Sequence, residues 1–569
     1  MTKVISRIDD VLNDCAARAL TGDKLRAVAL RTALALGVAA MALGAPLATP
    51  VAAQNATGQS GAGQAVQVTA FMQAVAEAAS DDSEIAAFYR ATNYQPIWTS
   101  NSARDASRRR ALLAAVQAAP DQGLPAFDTT LLSANMRAIT SEREQGQVEV
   151  ALSKLFLTYA RDLQTGILTP SQVVSDIKRV VPLRDGTQTL INFTKSSPAA
   201  FLRGLAPSSP EYTRLMREKL TMEKVIGQGG WGPQVPNGKL EPGASGAGVV
   251  ALRNRLMAMG DLGRTNTATY DAQIQKAVQI FQMRHGLAAD GVVGAGTLAA
   301  INIEPAQRLA SIVVAMERER WMNIPRTGRY IWVNITDFTA KIYDDDKLTF
   351  ETRSVVGAND RDRRTPEFSD MMEHMVINPS WNVPRSITTK EYLPLMQKNP
   401  NAAGQLDIVD NNGRVVPRSA INFNAYTASN FPYRMRQPPS DGNALGLVKF
   451  MFPNKYNIYL HDTPSKSLFA RESRAFSHGC VRLNDPFDFA YALLAKQSSD
   501  PVGEFQSHLR TGQESVIALQ TEVPVHLVYR TAISMPKGGM EYRTDVYGRD
   551  AAIWAALQNA GVQLRAVGG

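Results

Sequence analysis

The spacing of apolar residues along this chain changes from a helical to a strand-like period at about residue 329. Over 69–239, apolar residues recur at three- and four-residue steps, as in FMQAVAEAASDDSEIAAFYRATNY and EVALSKLFLTYARDLQTG, which predicts a helical domain. A Gly/Pro-rich linker, NGKLEPGASGAG, follows it. Two further helical patterns and a Gly-rich turn then predict a compact three-helix unit over 245–303.

Strand-like alternation dominates the remainder of the chain. The run RYIWVNITDFTAKIYDDDKLTFETRSVVG alternates apolar and polar residues around a DDD turn, which is typical of a β-hairpin. Later runs such as LVKFMFP and VPVHLVYRTAI repeat the pattern, so we expect a β-rich domain over 329–533 and a C-terminal extension over 534–569. An Asn/Pro/Gly/Ser-rich insertion over 385–445 is long for a loop, and such loops often form lids. The predicted fold class is multidomain α+β.

The N-terminal segment lacks this amphipathic pattern. Residues 1–31 contain six Lys and Arg, and every residue from Thr32 to Ala53 is apolar, small or proline. A basic stretch followed by an apolar stretch and a closing Val-Ala-Ala is typical of an export signal, which we predict over 1–53. A flexible Gly/Ala/Gln/Ser linker over 54–68 would follow it. Export predicts a periplasmic protein, with a retained inner-membrane anchor as the open alternative.

Composition narrows the classes of function. The 569 residues include 61 Lys and Arg against 52 Asp and Glu, a net charge of +9 that is spread along the chain. Such a balance suits an anionic polymer without indicating nucleic acid, which we do not expect as a partner. The two cysteines, Cys15 and Cys480, exclude a disulfide-stapled scaffold and a Cys-rich metal site. If the export signal is removed, the mature chain keeps Cys480 alone.

A catalytic hypothesis rests on the string HDTPSKSLFARESRAFSHGCVRLNDP, which begins at His461 and contains Cys480. A cysteine attacks a carbonyl as a thiolate, and an imidazole can take its proton. His478 lies two residues before Cys480, and His461 ends the apolar run YNIYL, so both are candidates for this base. A buried, inert cysteine explains an isolated His-x-Cys pair equally well.

Small and polar residues around the cysteine add to the hypothesis. Gly479 leaves room for a substrate carbonyl to approach backbone amides, which could form an oxyanion hole. Arg482 and Asn484 follow at two-residue steps and could bind a carboxylate or shape the turn.

The complete string resembles the active-site signature of the YkuD-type L,D-transpeptidases. In it, a histidine is followed, after fifteen intervening residues, by Ser-His-Gly-Cys and then by Val-Arg-Leu-Asn. The segment RQPPSDGNALGLVKFMFPN at 436–454 is also similar to that family. The pattern AVxxFQxxxGLxxDGVVGxxT in the three-helix unit resembles small peptidoglycan-binding domains. The whole arrangement resembles the large periplasmic YcbB-type members, which have a helical scaffold domain and a capping insertion in the catalytic domain.

The resemblance implies acyl transfer on the tetrapeptide stems of peptidoglycan, and hence a role in wall biogenesis and cell shape. Cys480 would attack the carbonyl between a diaminopimelate L-centre and the terminal D-alanine, which leaves and gives a thioester. The side-chain amine of a second diaminopimelate would then attack this thioester and form a cross-link. No metal or other cofactor is implied. Other wall-synthesis proteins are open as partners of the helical domain, and the membrane only if the N-terminal segment is retained.

Individual roles follow from the same resemblance. His461 would be the general base, oriented by a nearby backbone carbonyl at Asp462, and His478 a positioning residue. Gly479 with the amide of Cys480 would form the oxyanion hole. Candidates for substrate binding are Ser477, Arg482, Asn484, Arg436, Trp381 and Tyr392. For Arg482 a structural ion pair is an equal interpretation, and for the last three so is simple surface packing.

Other functions stay open at this point. Water, an amino acid or a lysine of an outer-membrane protein could replace the second stem as acceptor. With water as acceptor, the protein would be an L,D-carboxypeptidase. A non-catalytic wall-binding scaffold is the alternative of another class. A papain-like peptidase is disfavoured because the histidine precedes the cysteine here.

Overall fold

The computed structural model describes residues 68–567. The predicted export signal, and the predicted linker as far as residue 67, lie outside the described residues. Within them, no helix combines the length and the apolar character that a membrane crossing requires. The predicted multidomain α+β class is confirmed, with helices over the N-terminal part and a β-rich region after residue 329.

The first region is a helical bundle built around one long helix. This central helix begins at a capping box, in which Ser141 and Glu144 satisfy each other's backbone N–H groups, and much of its length is buried. Phe156 of this helix packs against Trp98 and Phe193, with 4.6 Å between the two Phe ring centroids. The helices are α1 (Ala70–Ala78), α2 (Ser83–Ala91), α3 (Ala103–Gln117), α4 (Thr130–Arg137), α5 (Glu142–Thr165), α6 (Pro170–Val173), α7 (Gly186–Lys195), α8 (Pro198–Arg203) and α9 (Pro210–Gly227).

The second region is the three-helix unit, formed by α10 (Ala247–Met259), α11 (Ala272–Arg284) and α12 (Ala295–Ile301). Its core contains Leu252, Ile274 and Phe281, all fully buried. The buried Gln282 fixes the following Gly-rich turn, since its amide group donates to Asp290 and Thr297 and its carbonyl oxygen accepts from Gly291 N–H. The buried Gln282 side chain therefore connects α11 to the turn and to α12 in this small unit.

The third region contains a nine-stranded sheet in the order β10-β3-β11-β9-β8-β4-β12-β1-β2. An additional pairing joins β2, at one end of this order, to β3, so eight strands close into a ring and β10 pairs at its outside with β3. Its strands are β1 (Arg329–Asn334), β2 (Thr339–Asp344), β3 (Lys347–Gly357), β4 (Phe368–Ile377), β8 (Val448–Met451), β9 (Leu460–His461), β10 (Ala475–Ser477), β11 (Val481–Leu483) and β12 (Ser515–Val528). Helices α16 (Pro486–Leu494) and α17 (Pro501–Leu509) bury Phe489 and Phe505 against its core.

A subdomain with its own apolar core interrupts this sheet between β4 and β8; we call it the cap, residues 381–437. It combines the three-stranded order β5-β7-β6 with short helices around the fully buried Met396. Its elements are β5 (Trp381–Asn382), α14 (Arg385–Ile387), α15 (Leu393–Lys398), β6 (Asp407–Val409) and β7 (Arg434–Gln437). The cap overlaps the insertion predicted over 385–445, and it begins earlier, with strand β5.

One helix, α13 (Pro305–Trp321), lies between these regions and is buried on all sides over its last turns. Four consecutive charged residues of this helix, 317–320, are at most 3% exposed. We call these four residues and their charged partners the ionic hub. Glu317 and Arg320 pair with each other, and Glu319 pairs with the nearby Arg326. The remaining partners come from distant segments: Glu367 and Asp550 pair with Arg318, and Arg530 pairs with Glu319. Following β13 (Ala532–Ser534) and β14 (Met540–Tyr542), helix α18 (Arg549–Asn559) contributes to this hub.

Candidate active site

Strand pairing brings the segments that carry the predicted nucleophile and base side by side. Strands β9 and β11 are parallel neighbours, with Val481 opposite Leu460 and Arg482 opposite His461. Because side chains alternate between faces along a strand, Leu460 and Val481 point into the core, while Arg482 and His461 share the other face. Cys480 lies directly before β11, two residues before Arg482, and the Arg482 charge acts on its thiol as it acts on His461. The eighteen residues between His461 and Cys480 thus loop out and return to an adjacent strand.

His461 is buried and its orientation is fixed by its own main chain. The Nδ1 atom faces the Asp462 carbonyl oxygen, the acceptor that the family resemblance implies. A carbonyl can only accept, so Nδ1 carries the proton and Nε2 keeps its lone pair. Burial, together with the positive charge of Arg482, lowers the pKa of His461 to about 3. The imidazole is therefore neutral at neutral pH and able to accept a proton.

The Cys480 thiol is half-buried and donates to the Asn457 carbonyl oxygen at 3.5 Å. Burial raises the pKa of Cys480 to about 11, opposed by hydrogen bonding from Tyr459 and by the charge of Arg482. The resting site therefore holds a neutral thiol and a neutral imidazole.

The loop that carries the nucleophile is held by hydrogen bonds within itself. The Ser477 hydroxyl accepts from Gly479 N–H at 3.1 Å and donates to the Cys480 carbonyl oxygen at 2.5 Å. Ser477 is buried, so its place is in the support of the loop. The Gly479 N–H, expected to face the substrate, is occupied in this conformation. In the described residues no hydrogen bond is found for the Cys480 N–H.

His478 connects this loop to the cap. Its Nε2 lies 2.6 Å from the Glu391 carboxylate, and both side chains are partly exposed. A second ion pair, Lys390 with Asp362 at 2.7 Å, joins the cap to the sheet nearby. The His478 ring is thus engaged by the cap, whereas the His461 ring is engaged by the adjacent main chain.

The three cap residues predicted to line the site make different contacts. Trp381 hydrogen-bonds to the Tyr459 hydroxyl, and Tyr459 hydrogen-bonds to Cys480. Tyr392 packs against Trp381 at 6.5 Å between ring centroids. Arg436 instead pairs with Asp407 at 3.2 Å inside the cap sheet. The structure therefore brings Trp381 to the nucleophile through one intervening tyrosine, and engages Arg436 elsewhere.

Arg482 and Asn484 also differ in what they contact. No carboxylate lies within 4.0 Å of Arg482 in the part of the chain that the structure describes, and its buried Nε has no hydrogen-bond partner there. The alternative interpretation of Arg482 as a structural ion pair thus finds no partner. The Asn484 side chain donates to Asp485 at 2.8 Å, which shapes the turn after β11.

Sequence reasoning missed three residues around the nucleophile. Tyr459 precedes His461 by two positions, so the strand period could have indicated its shared face. Glu391 and Thr365 carry no such signal, because they reach the loop only through tertiary contacts. Thr365 is fully buried and donates to the Gly479 carbonyl oxygen at 2.7 Å.

A separate cleft of about 770 Å³ lies between the three-helix unit, helix α13 and the C-terminal segment. It is lined mainly by apolar residues, among them Ala300, Ile303 and Trp554, and by none of the predicted site residues. The described residues hold no cluster of three or more metal-ligating side chains of the His, Cys, Asp and Glu types. The chemistry of the Cys480 face, rather than cavity size, therefore locates the candidate active site.

A buried neutral histidine on β9 and a cysteine directly before β11 are compatible with thiol-dependent acyl transfer, and comparison with known families indicates the class. The model of the L,D-transpeptidase catalytic domain, YkuD, matches residues 328–503. A scaffold-domain model matches 83–218, and a peptidoglycan-binding domain model matches 245–301. The chain therefore contains a YkuD-type L,D-transpeptidase catalytic domain together with a scaffold domain and a peptidoglycan-binding domain.

Individual relatives agree with this assignment. A Haemophilus influenzae protein named as an L,D-transpeptidase is 35% identical over 242 residues, which are 42% of this chain and 48% of the relative. The chain thus matches about half the length of that relative.

Solved structures show more distant likeness. L,D-transpeptidases from Xylanimonas cellulosilytica and Stackebrandtia nassauensis are 17% and 15% identical, at TM-scores of 0.16 and 0.20. Each alignment covers 52% of this chain, with 98% and 97% of the respective neighbour. At these TM-scores the likeness carries no weight, and the assignment rests on the family models.

The domain composition also indicates the partner and the place of action. A peptidoglycan-binding domain beside an L,D-transpeptidase domain points to peptidoglycan as the partner. The match is to a family of cell-wall enzymes, which indicates the periplasm or the outside of the cell as the place of action.

Proposed function

We propose that this protein is a peptidoglycan L,D-transpeptidase that joins two diaminopimelate residues through a thioester on Cys480. The observation that carries the proposal is the pairing of His461 with Arg482 on adjacent strands, with Cys480 two residues before Arg482 and His461 held neutral by burial. Such a cysteine and histidine suit a thiol attack in which the base takes the proton as the bond forms.

In the first half-reaction, the Cys480 sulfur attacks the diaminopimelate carbonyl and the thiol proton passes to His461 Nε2. The C–N bond to D-alanine then breaks, and the departing amine takes the proton from His461. The thioester that remains has released one D-alanine, and His461 is neutral again. Arg482 lies on the same face and its cationic charge favours the developing anions.

In the second half-reaction, the side-chain amine of another diaminopimelate attacks the thioester. His461 accepts a proton from this amine, and the C–S bond breaks with return of the proton to sulfur. The product is an amide between the two diaminopimelates, and the thiol is restored. The cap lies over the loop through the contact between Glu391 and His478, and it would limit attack by water on the thioester.

Substrate groups are assigned by the charges at the site. Arg482, which has no carboxylate partner in the described range, would bind a carboxylate of the donor stem. Trp381 and Tyr392 would line the stem from the cap side, whereas Ser477 and Asn484 would hold the loop and turn. Arg436 is proposed only as an outer residue, because it is engaged by Asp407.

The remaining parts of the proposal concern location and partners. The segment 1–53 would direct export to the periplasm, with an inner-membrane anchor if it is retained. Peptidoglycan held by the three-helix unit would bring stems to the catalytic domain, and wall-synthesis proteins would bind the helical scaffold. Hydrolysis by water, or attachment of an outer-membrane protein, uses the same thioester and differs in the acceptor alone.

Mass spectrometry of the purified protein with disaccharide-tetrapeptide muropeptides tests the proposal. We expect a dimer lighter than two monomers by one molecule of alanine, and no dimer with Cys480→Ala. Tripeptide monomers without dimers would replace transpeptidation by L,D-carboxypeptidase activity. A folded protein that binds peptidoglycan and yields neither product would leave the scaffold function in its place.

A further inference from the structure

The carbonyl of Gly479, beside the nucleophile, is held from behind by a threonine 114 residues away in sequence. The Thr365 hydroxyl donates to the Gly479 carbonyl oxygen at 2.7 Å and accepts from Gly357 N–H at 2.9 Å. Thr365 is fully buried. Water therefore does not compete for this hydroxyl, and the orientation of the Gly479 carbonyl is well defined.

The C-terminal part of the chain fixes Thr365 in turn. Its N–H donates to the Tyr547 hydroxyl at 3.3 Å, and its carbonyl oxygen accepts from Arg549 at 2.7 Å. The Tyr547 hydroxyl donates to the Gly357 carbonyl oxygen, and Arg549 pairs with Glu367 at 3.0 Å. Every polar atom of Thr365 thus has a protein partner, which is the arrangement expected of a rigid support.

Peptide geometry transmits this support to the nucleophile. The Gly479 carbonyl and the Cys480 N–H belong to one trans peptide unit, so they point in opposite directions. Holding the carbonyl on the buried Thr365 turns the Cys480 N–H outward, away from the interior. Gly479 has a φ of +112°, a conformation that favours glycine and permits this orientation.

The Cys480 N–H is also the amide of this loop that is open to a substrate. The neighbouring Gly479 N–H already donates to Ser477, whereas no partner of the Cys480 N–H is found among residues 68–567. An amide next to the attacking sulfur, aimed outward and unpaired, suits the oxyanion that forms on the attacked carbonyl.

We propose that Thr365 is a positioning residue that aims the Cys480 N–H at this oxyanion, with Tyr547 and Arg549 holding Thr365 in place. The inference rests on the proposed function. An oxyanion exists only along the reaction path, so loss of its aligned donor lowers kcat and leaves KM nearly unchanged.

Thr365→Val tests this, because valine keeps the shape of threonine and removes the hydroxyl. With tetrapeptide muropeptides we expect kcat to fall about 10²-fold, the size typical of losing one oxyanion donor, while KM changes by less than about twofold. Thr365→Ser keeps the hydroxyl and should restore most of kcat. Thr349→Val, on the exposed β2–β3 hairpin, is the matched control and should leave both constants unchanged.

Tyr547→Phe covers the case in which Thr365→Val does not fold, and should lower kcat less, again without a change in KM. A wild-type kcat in folded Thr365→Val, or a loss that Thr365→Ser does not recover, would overturn the positioning role while the proposed function stands. If the unaltered protein forms no acyl-enzyme, detected by intact mass, the proposed function fails and this inference fails with it.

Discussion

The ionic hub and the active site both hold polar groups out of water, and they do so in opposite ways. In the hub, each of the four consecutive charges from Glu317 to Arg320 faces an opposite charge. At the active site, Cys480 and His461 are neutral and Arg482 has no carboxylate partner in the described chain. Paired charges hold segments together, whereas unpaired or neutral groups remain available to a ligand.

The largest difference should appear on changing the base. His461→Gln keeps a polar side chain and removes the proton acceptor, so we expect the rate of acyl-enzyme formation to fall about 10²- to 10⁴-fold. The melting temperature should change little by comparison. Stopped reactions analysed by intact mass give the rate. Activity near the wild-type level would assign the base to His478 and contradict the geometry described here.

A change in the ionic hub should instead lower the stability of the fold and leave the acylation rate unchanged. Glu319→Gln leaves Arg530 and Arg326 without their buried counter-charge, and breaking such a pair typically costs about 3–5 kcal/mol of folding free energy. Denaturant unfolding measures this loss, and the acylation rate of the molecules that remain folded should be unchanged. Glu77→Gln, which removes an exposed pair with Arg143, is the matched control and should leave the unfolding midpoint in place. Equal midpoints for both variants would refute the structural role of the hub.

The ionic hub and the active site should also respond differently to a fall in pH. Although burial opposes it, the charges of Arg530 and Arg326 lower the pKa of Glu319 to about 2. Its stabilising effect is thus complete above the pKa of the unfolded carboxyl and is lost as pH falls towards 2.

Acid should affect catalysis through His461. Its pKa of about 3 keeps the imidazole neutral, so the acylation rate should stay flat from about pH 8 to 5. Arg482→Gln removes a charge that lowers this pKa, so the acid limb should move to higher pH. Pre-steady-state acylation across pH measures the effect, and a wild-type limb near 6.5 would contradict a buried, neutral His461.

The smallest effect is expected at the contact between loop and cap. Glu391→Gln weakens a partly exposed pair with His478, and such pairs contribute about 0–1 kcal/mol. We expect at most a severalfold rise in KM for tetrapeptide muropeptides, with kcat retained. Lys390→Gln, at the neighbouring exposed pair, controls for general loosening of the cap. A large fall in kcat for Glu391→Gln would give His478 a direct part in the chemistry.

The comparison also explains how much of this molecule could be predicted from its sequence. The helical and β-rich regions could be predicted from the periodicity of apolar residues and the insertion from its composition, and the motif string indicated Cys480 and His461 as candidates. These features are local in sequence or consist of contiguous signals. The separation of His461 from Cys480 could be interpreted only through the resemblance to a known family.

What could not be predicted depends on distant partners. The run Glu-Arg-Glu-Arg at 317–320 has the appearance of a solvated helix face, and its burial is possible only because Glu367, Arg530 and Asp550 arrive from elsewhere. No sequence pattern around Thr365 indicates its contact with Gly479, because the fold alone brings the two together. Hydrogen bonds across more than a hundred residues leave no periodic trace in a single sequence.

The closed sheet has a consequence for the time course of folding. Strand β1 pairs with β12, and the Asn334 side chain donates to the Arg530 carbonyl oxygen 196 residues further along the chain. Contacts of such long range slow folding, because the intervening loop loses entropy before any pairing compensates it. Throughout that interval the Cys480 thiol is uncovered. As the only cysteine among the described residues, it cannot be captured there in a wrong intramolecular disulfide.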